Sequence, residues 1–204
     1  MSGWDFDSND KKKVEYTKFP TGITNIRIID NEPHIRWVHW IQQVKRNVNC
    51  PGKDCPICKI RKEQRANKET PTYNMSRRFS MQILNRETEK IELMEQGITF
   101  FEDVRDLMRD LKEEGKALID VDLKVRRRGT SKDDTSYRID IAKEYPISDK
   151  DKKEIENKLD LSEYFTPHTP EQITALISGS TWEEVMYNDS TSEEDEKEEE
   201  IELS

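Results

Sequence analysis

From Thr21 onward, apolar and polar residues alternate in a series of short runs, the pattern of strands that bury one face. Ile23, Ile26 and Ile28 form the first run after a Pro20 to Gly22 turn, and Asn31-Glu32-Pro33 separates it from HIRWVHWI at 34–41, so the two read as a hairpin. In the second arm Ile35, Trp37, His39 and Ile41 share one face, and His34, Arg36, Val38 and Trp40 the other. A third run, TYNMSRRFSMQIL, places Tyr73, Met75, Arg77, Phe79, Met81 and Ile83 opposite Asn74, Ser76, Arg78, Ser80, Gln82 and Leu84; Asn85 to Thr88 then turns the chain back into Ile91 and Leu93. A second long hairpin joins ALIDVDLKVRRRG to SYRIDIA across GTSKDD, with Ile119, Val121, Leu123 and Val125 as its apolar face and Asp120 and Asp122 toward solvent. Between these hairpins the period changes. Thr99 and Glu102 predict a capping box for a helix running to Gly115, with Phe100, Phe101, Val104, Leu107, Met108 and Leu111 as its buried stripe. Residues 59–69, 149–160 and 170–178 also read as helices, the last opened by Thr169-Pro170-Glu171-Gln172, and Ser180 to Glu183 is a similar start. Five strands in hairpins, interrupted by helices, predict a mainly β fold closed into a small barrel.

Composition divides this picture. With 32% hydrophobic and 38% charged residues, the chain has material for one core and for ends that do not join it. The expected divisions are a polar arm at 1–18 with Trp4, Phe6 and Lys11 to Lys13, a barrel domain at 19–147, a helical extension at 148–188 and an acidic tail at 189–204. No apolar run approaches the length of a membrane span, and no internal repeat is present. The net charge of −9 hides a segregation: the tail has nine acidic residues against one lysine, whereas residues 34–90 have thirteen Lys and Arg against five Asp and Glu. A basic body and an acidic tail on one chain point to a polyanionic partner, with the tail as its competitor or as a docking peptide.

All three cysteines fall in the stretch 39–58, which predicts a metal clasp. Cys55 and Cys58 have two residues between them, and Cys50 precedes Cys55 across a Pro51-Gly52 turn. Three thiolates ask for one more ligand; His39 is the nearest candidate, with His34 and Asp54 as substitutes. One structural zinc ion follows, in a closed site with no position for a reactive water. An odd thiol count and a start without a signal peptide speak against disulfides and for a cytoplasmic protein. A plant-type iron–sulfur centre needs a fourth cysteine, and the chain has none.

Basic and aromatic side chains interleave around the clasp, as on surfaces that stack bases and neutralise phosphates. The candidate stacking residues are Tyr73, Phe79, Trp37 and Tyr137, and the candidate phosphate contacts are Arg36, Lys45, Arg46, Arg77, Arg78, Arg126, Arg127 and Arg128. These residues predict a binder of single-stranded nucleic acid with little sequence preference and leave DNA or RNA open, since that choice turns on a contact to the 2′-hydroxyl; the alternative is an RNA-binding or transcription-associated zinc module. An enzyme is not expected. Asp120, Asp122 and Asp140 could imitate a carboxylate cluster, but no general base accompanies them.

The HWI strand, the CPGKDCPIC loop, the RRFSMQIL strand followed by a helix, the RRRG hairpin and the acidic terminus together resemble the helix-destabilising single-stranded DNA-binding proteins of tailed phages. The resemblance covers residues 20–145 and the tail. It implies an oligonucleotide-binding (OB-fold) barrel with a zinc insertion held by His39, Cys50, Cys55 and Cys58. It also implies a protein that coats and protects single strands during phage DNA replication, recombination and repair in the host cytoplasm, without a membrane. By the same resemblance the tail, with Glu193, Glu194, Asp195, Glu196, Ile201 and Leu203, recruits replication and recombination proteins, and copies of the chain associate along DNA.

Overall fold

A computed structural model describes residues 14–131, 134–144 and 146–186. Trp4, Phe6, Lys11 to Lys13 and the whole acidic tail lie outside the described residues, as does every expectation that rests on them. In chain order the elements are β1 (Gly22–Ile28), β2 (His34–Ile41), β3 (Arg46–Asn49), α1 (Pro56–Ala66), β4 (Asn74–Asn85), β5 (Lys90–Gln96), α2 (Ile98–Glu113), a 3-10 turn at Leu118–Asp120, β6 (Val121–Arg128), β7 (Ser136–Glu144), α3 (Asp149–Ile155), α4 (Leu161–Tyr164) and α5 (Pro170–Ser178). They fall into two compact units: Met1–Ile35 with Arg78–Tyr164, and Arg36–Arg77 with Phe165–Ser204. These divisions differ from the linear ones expected from composition, because the chain leaves the first unit at β2, returns within β4 and leaves again after α4.

The first unit is an antiparallel sheet. β1 lies between β4 and β6, with Ile28 opposite Ile83 on one side and Ile26 opposite Leu123 on the other. Both edges of β1 are therefore used, and the expected hairpin between β1 and β2 does not form. β4 also pairs with β5, from Phe79 opposite Gln96 to Asn85 opposite Lys90, and β6 pairs with β7 with a register shift between Asp122 and Leu123. Among the described residues the path β5-β4-β1-β6-β7 stays open, so the expected closed barrel is not formed.

The apolar faces of this sheet meet α2, whose Phe100, Phe101, Val104 and Leu111 are buried as the helical period predicts. The helix starts two residues earlier than the capping-box reading allows. Gly97 is its N-cap, without a side-chain cap, and Thr99 lies inside the first turn.

A central strand covered on both faces must pair any charge it carries. In β1, Arg27 is fully buried and its Nε donates to Asp122 Oδ1 at 2.7 Å. Arg86 bonds the same carboxylate from Nη2 at 2.8 Å and reaches Asp151 of α3 with Nη1, also at 2.8 Å. Alternation put Asp122 toward solvent; burial of the second sheet face makes it an internal anion instead. A similar clamp ends α3 at Ile155, short of the expected residue 160. The Gln82 side chain bonds the Leu159 backbone at both ends, at 3.0 and 2.7 Å, so Leu159 pairs there and not in a helical ladder. Asp30 accepts from the Gln82 N–H at 2.5 Å and from Lys158 at 2.6 Å.

The second unit is built around the hairpin of β2 and β3, with Val38 opposite Asn49 and Ile41 opposite Arg46. β3 escaped the pattern reading because only Val48 of its four residues is buried. Ile41, Val48, Cys55 and Ile57 pack with Ile173, Leu176 and Val185, so residues 165–186 complete this core and are not an appendage. The predicted start at 169–172 is present: Thr169 Oγ1 accepts from the Gln172 N–H, and the Gln172 side chain caps Thr169 in return. The last start falls at Thr181, whose hydroxyl accepts from the Glu184 N–H at 3.2 Å. Among the described residues no helix is long and apolar enough to cross a membrane.

Candidate metal centre and basic aromatic surface

His39 lies near the end of β2, where the strand passes from open to covered. Ile35 and Trp37 are exposed, whereas His39 and Ile41 on the same face have no accessible surface. Cys50 directly follows β3, held by its N–H to the Trp37 carbonyl at 2.9 Å. Gly52 then adopts φ +87°, which a side chain would resist, and its N–H points at Cys50 Sγ at 3.4 Å. Cys55 is the N-cap of α1 and Pro56 its first helical residue, so Cys58 lies in the first helical turn. The helix expected at 59–69 thus begins within the clasp and supplies one of its ligands.

The four ligand atoms of His39, Cys50, Cys55 and Cys58 lie within 4.8 Å of one another. Cys50 and Cys58 sulfurs are 3.7 Å apart, and His39 Nε2 is 3.3 Å from Cys55 Sγ and 3.4 Å from Cys58 Sγ. A tetrahedral ion with bonds of about 2.3 Å to sulfur sets sulfurs about 3.8 Å apart, and sulfur and nitrogen about 3.5 Å apart. Three of the six donor pairs thus stand near the separations that one ion requires, and the cluster could hold a metal. Without an ion, burial favours the neutral forms of His39, Cys50 and Cys58. Burial lowers the His39 pKa, opposed by the Asn74 backbone and reinforced by the Arg61 charge. Burial likewise raises Cys50, and burial with the neighbouring Cys50 thiol pushes Cys58 up to about 12. A cation among them reverses this preference, since it needs deprotonated thiols and a neutral imidazole. Asp54, a substitute ligand in the sequence reading, is instead exposed and 4.0 Å from Lys59; neither it nor His34 belongs to the cluster.

The candidate nucleic-acid residues separate into struts and open groups. In the second unit the Arg36 guanidinium lies 3.5 Å over the Phe165 ring and its Nε donates to Asn49 Oδ1, so this arginine braces the core and not a phosphate. Tyr73 is half-buried against the same core. Trp37, by contrast, is 47% exposed, and the Arg77 guanidinium stands 5.8 Å from its ring centre. Lys45 and Arg46 are exposed at the tip of the β2-β3 hairpin, with Arg46 over Trp182 at 5.0 Å.

In the first unit Phe79 is a core ring stacked on Phe101 at 5.6 Å, which corrects its assignment as a stacking platform. Tyr137 packs edge-on against Phe19 and Phe100, and Arg127 donates to the Phe19 carbonyl at 2.7 Å; both are structural. Arg126 is half-buried, Arg128 is exposed, and Arg78 lies 3.6 Å from Glu95.

Pattern reading missed Trp40, an exposed indole whose Nε1 donates to Gln42 at 2.9 Å, and Trp182, the ring beneath Arg46. The signal for Trp40 was its place among polar positions on β2. His168, which the sequence left in a linker, accepts the Asn49 N–H at Nδ1 and returns its own N–H to the Asn49 carbonyl, next to Cys50. No protein-family model matches the chain, and no curated protein matches it in sequence.

Proposed function

We propose that this chain is a non-catalytic zinc protein that binds single-stranded DNA with little regard to base sequence, through β2 and the basic residues around it. The observation that carries this reading is Trp37, a large ring left open on a strand with the Arg77 guanidinium beside it. A ring and a cation in one patch offer a base its stacking partner and a phosphate its counter-charge without reading any base edge. Charge supports the same choice. Residues 36–77 hold ten Lys and Arg against three Asp and Glu.

The ion is assigned as zinc because three thiols and one imidazole in a tetrahedral frame suit it best. The site is closed, so the ion fixes the loop that carries Cys50 to Cys58 and does not activate water. On this reading the open sheet of the first unit is an unclosed variant of an OB-fold barrel. The resemblance to phage helix-destabilising proteins then gives the role: coating and protecting single strands during replication, recombination and repair, with the acidic tail contacting other replication proteins.

The test is competition for a labelled single-stranded oligonucleotide by unlabelled single strand, duplex and RNA across a salt series. Single-stranded DNA should compete best, independently of its sequence, and affinity should fall steeply with salt. RNA competing more strongly than DNA would replace this reading with an RNA-binding one, and equal competition by duplex would reject the stacking surface.

A further inference from the structure

We propose that β7 is a self-recognition edge on which two copies of this chain pair antiparallel about a two-fold axis at Ile139. One edge of β7 is engaged with β6 along its length, from Val121 opposite Glu144 to Arg128 opposite Ser136. Its other edge pairs with no strand among the described residues. A nine-residue strand with a row of open N–H and C=O groups is a template for another strand. Ile141 on it is 42% exposed.

Proteins blunt such edges with lysines, prolines or bulges; in β7 the register shift falls at Ala142, which leaves Ser136 to Ile141 as the regular stretch. The outward residues here carry opposite charges instead. Arg138 and Asp140 share a face, their side chains are 73% and 38% exposed, and Arg138 Nε lies 3.0 Å from Asp140 Oδ1. An antiparallel pair centred on Ile139 places each residue opposite the one equally far on the other side of the centre. Arg138 then meets the partner's Asp140, and Asp140 meets the partner's Arg138. Tyr137 meets the partner's Ile141, an aromatic and β-branched pair of the kind that stabilises neighbouring strands.

The neighbouring registers are rejected by the same charges. Centring on Arg138 sets that guanidinium against its own copy, and centring on Asp140 sets two carboxylates together. Of these three registers the one centred on Ile139 is therefore selected. A two-fold pair uses the same patch on both subunits and closes on itself, so the product is a dimer and not a filament along a strand. The edge belongs to the first unit and involves neither the metal cluster nor Trp37, so it stands or falls independently of the proposed DNA binding.

Sedimentation equilibrium of the full chain without nucleic acid tests it. The native chain should show a concentration-dependent monomer and dimer equilibrium. Arg138→Asp and Asp140→Arg should each weaken the dimer by about ten-fold or more, because each turns two attractive pairs into two repulsive ones. An equal mixture of the two variants should recover the dimer as a mixed species, and the double variant should recover it alone. Ile141→Lys, at an already exposed position, should weaken it with no change in monomer melting temperature. A native chain that stays monomeric from micromolar to millimolar concentration would overturn the proposal. Single variants that dimerise as the native chain does, or a mixture that fails to recover the dimer, would overturn it equally.

Discussion

The two units of this chain differ in the size of their apolar clusters and in charge. The first buries fifteen apolar residues in one cluster, from Phe19 to Val125, on a sheet whose central strand is covered on both faces. The second buries seven, one of them Cys55, around the hairpin of β2 and β3, whose β2 also hydrogen-bonds to β4. Its His39, Cys50, Cys55 and Cys58 could hold a metal ion that would join β2, the loop after β3 and α1. Charge differs in the same sense. In the described residues the first unit has 24 acidic against 19 basic side chains, the second ten basic against six acidic. The unit that holds the possible metal cluster also has the basic excess, so on the proposed function loss of an ion and loss of nucleic-acid binding should occur together.

The sharpest test of that contrast is removal of the metal. Purified chain should carry about one zinc, and Cys58→Ser should reduce this to near zero, with loss of amide exchange protection in residues 36–77 and 165–186 while β1, β6 and residues 78–85 of β4 stay protected. Uniform loss of protection in both units would dissolve the distinction. Next in size are two changes confined to the first unit. Phe79→Ala should cost about 3–5 kcal/mol of stability by opening a hole against Phe101. Asp122→Asn should cost about 3–5 kcal/mol by leaving Arg27 buried without its counter-charge. Chemical denaturation measures both, and zinc content and DNA affinity per folded molecule should not change.

Trp37→Ala makes the converse comparison. It should lower affinity for single strands by about 1–3 kcal/mol and leave the melting temperature nearly unchanged, since the ring is half open already. Fluorescence anisotropy with a labelled oligonucleotide checks it.

The smallest effect is acid sensitivity at α3. Burial works to raise the Asp151 carboxyl, but its bonds with Arg86 and the Ser148 N–H win and hold it below the usual carboxylate range. A carboxylate lowered in the folded state adds stability at neutral pH, and this is lost as pH falls through its folded pKa. Asp151→Asn should therefore make the acid limb of the first unit's stability curve shallower, as thermal melts across acidic buffers would show.

The residues that needed only local rules were legible in advance. The stripe of α2 follows a 3.6 period, the cap at Thr169 follows hydroxyl chemistry, and β4, β6 and β7 follow a period of two. Cysteine spacing and the count of three thiols named the cluster, because tetrahedral coordination restricts which side chains can meet at one ion. Only the tertiary structure decided which strand lies beside which. Alternation says that one face of a strand is apolar but not whose edge it joins, so β1 went to β4 and β6 instead of β2. It also says nothing of what covers the other face. That is why Asp122 became an internal anion, Phe79 a core ring and Arg36 a brace on Phe165, while Trp37 stayed in the open. Partners for these side chains come from residues 22 to 129 positions away in the chain, and pattern along the chain cannot register a contact that only folding creates.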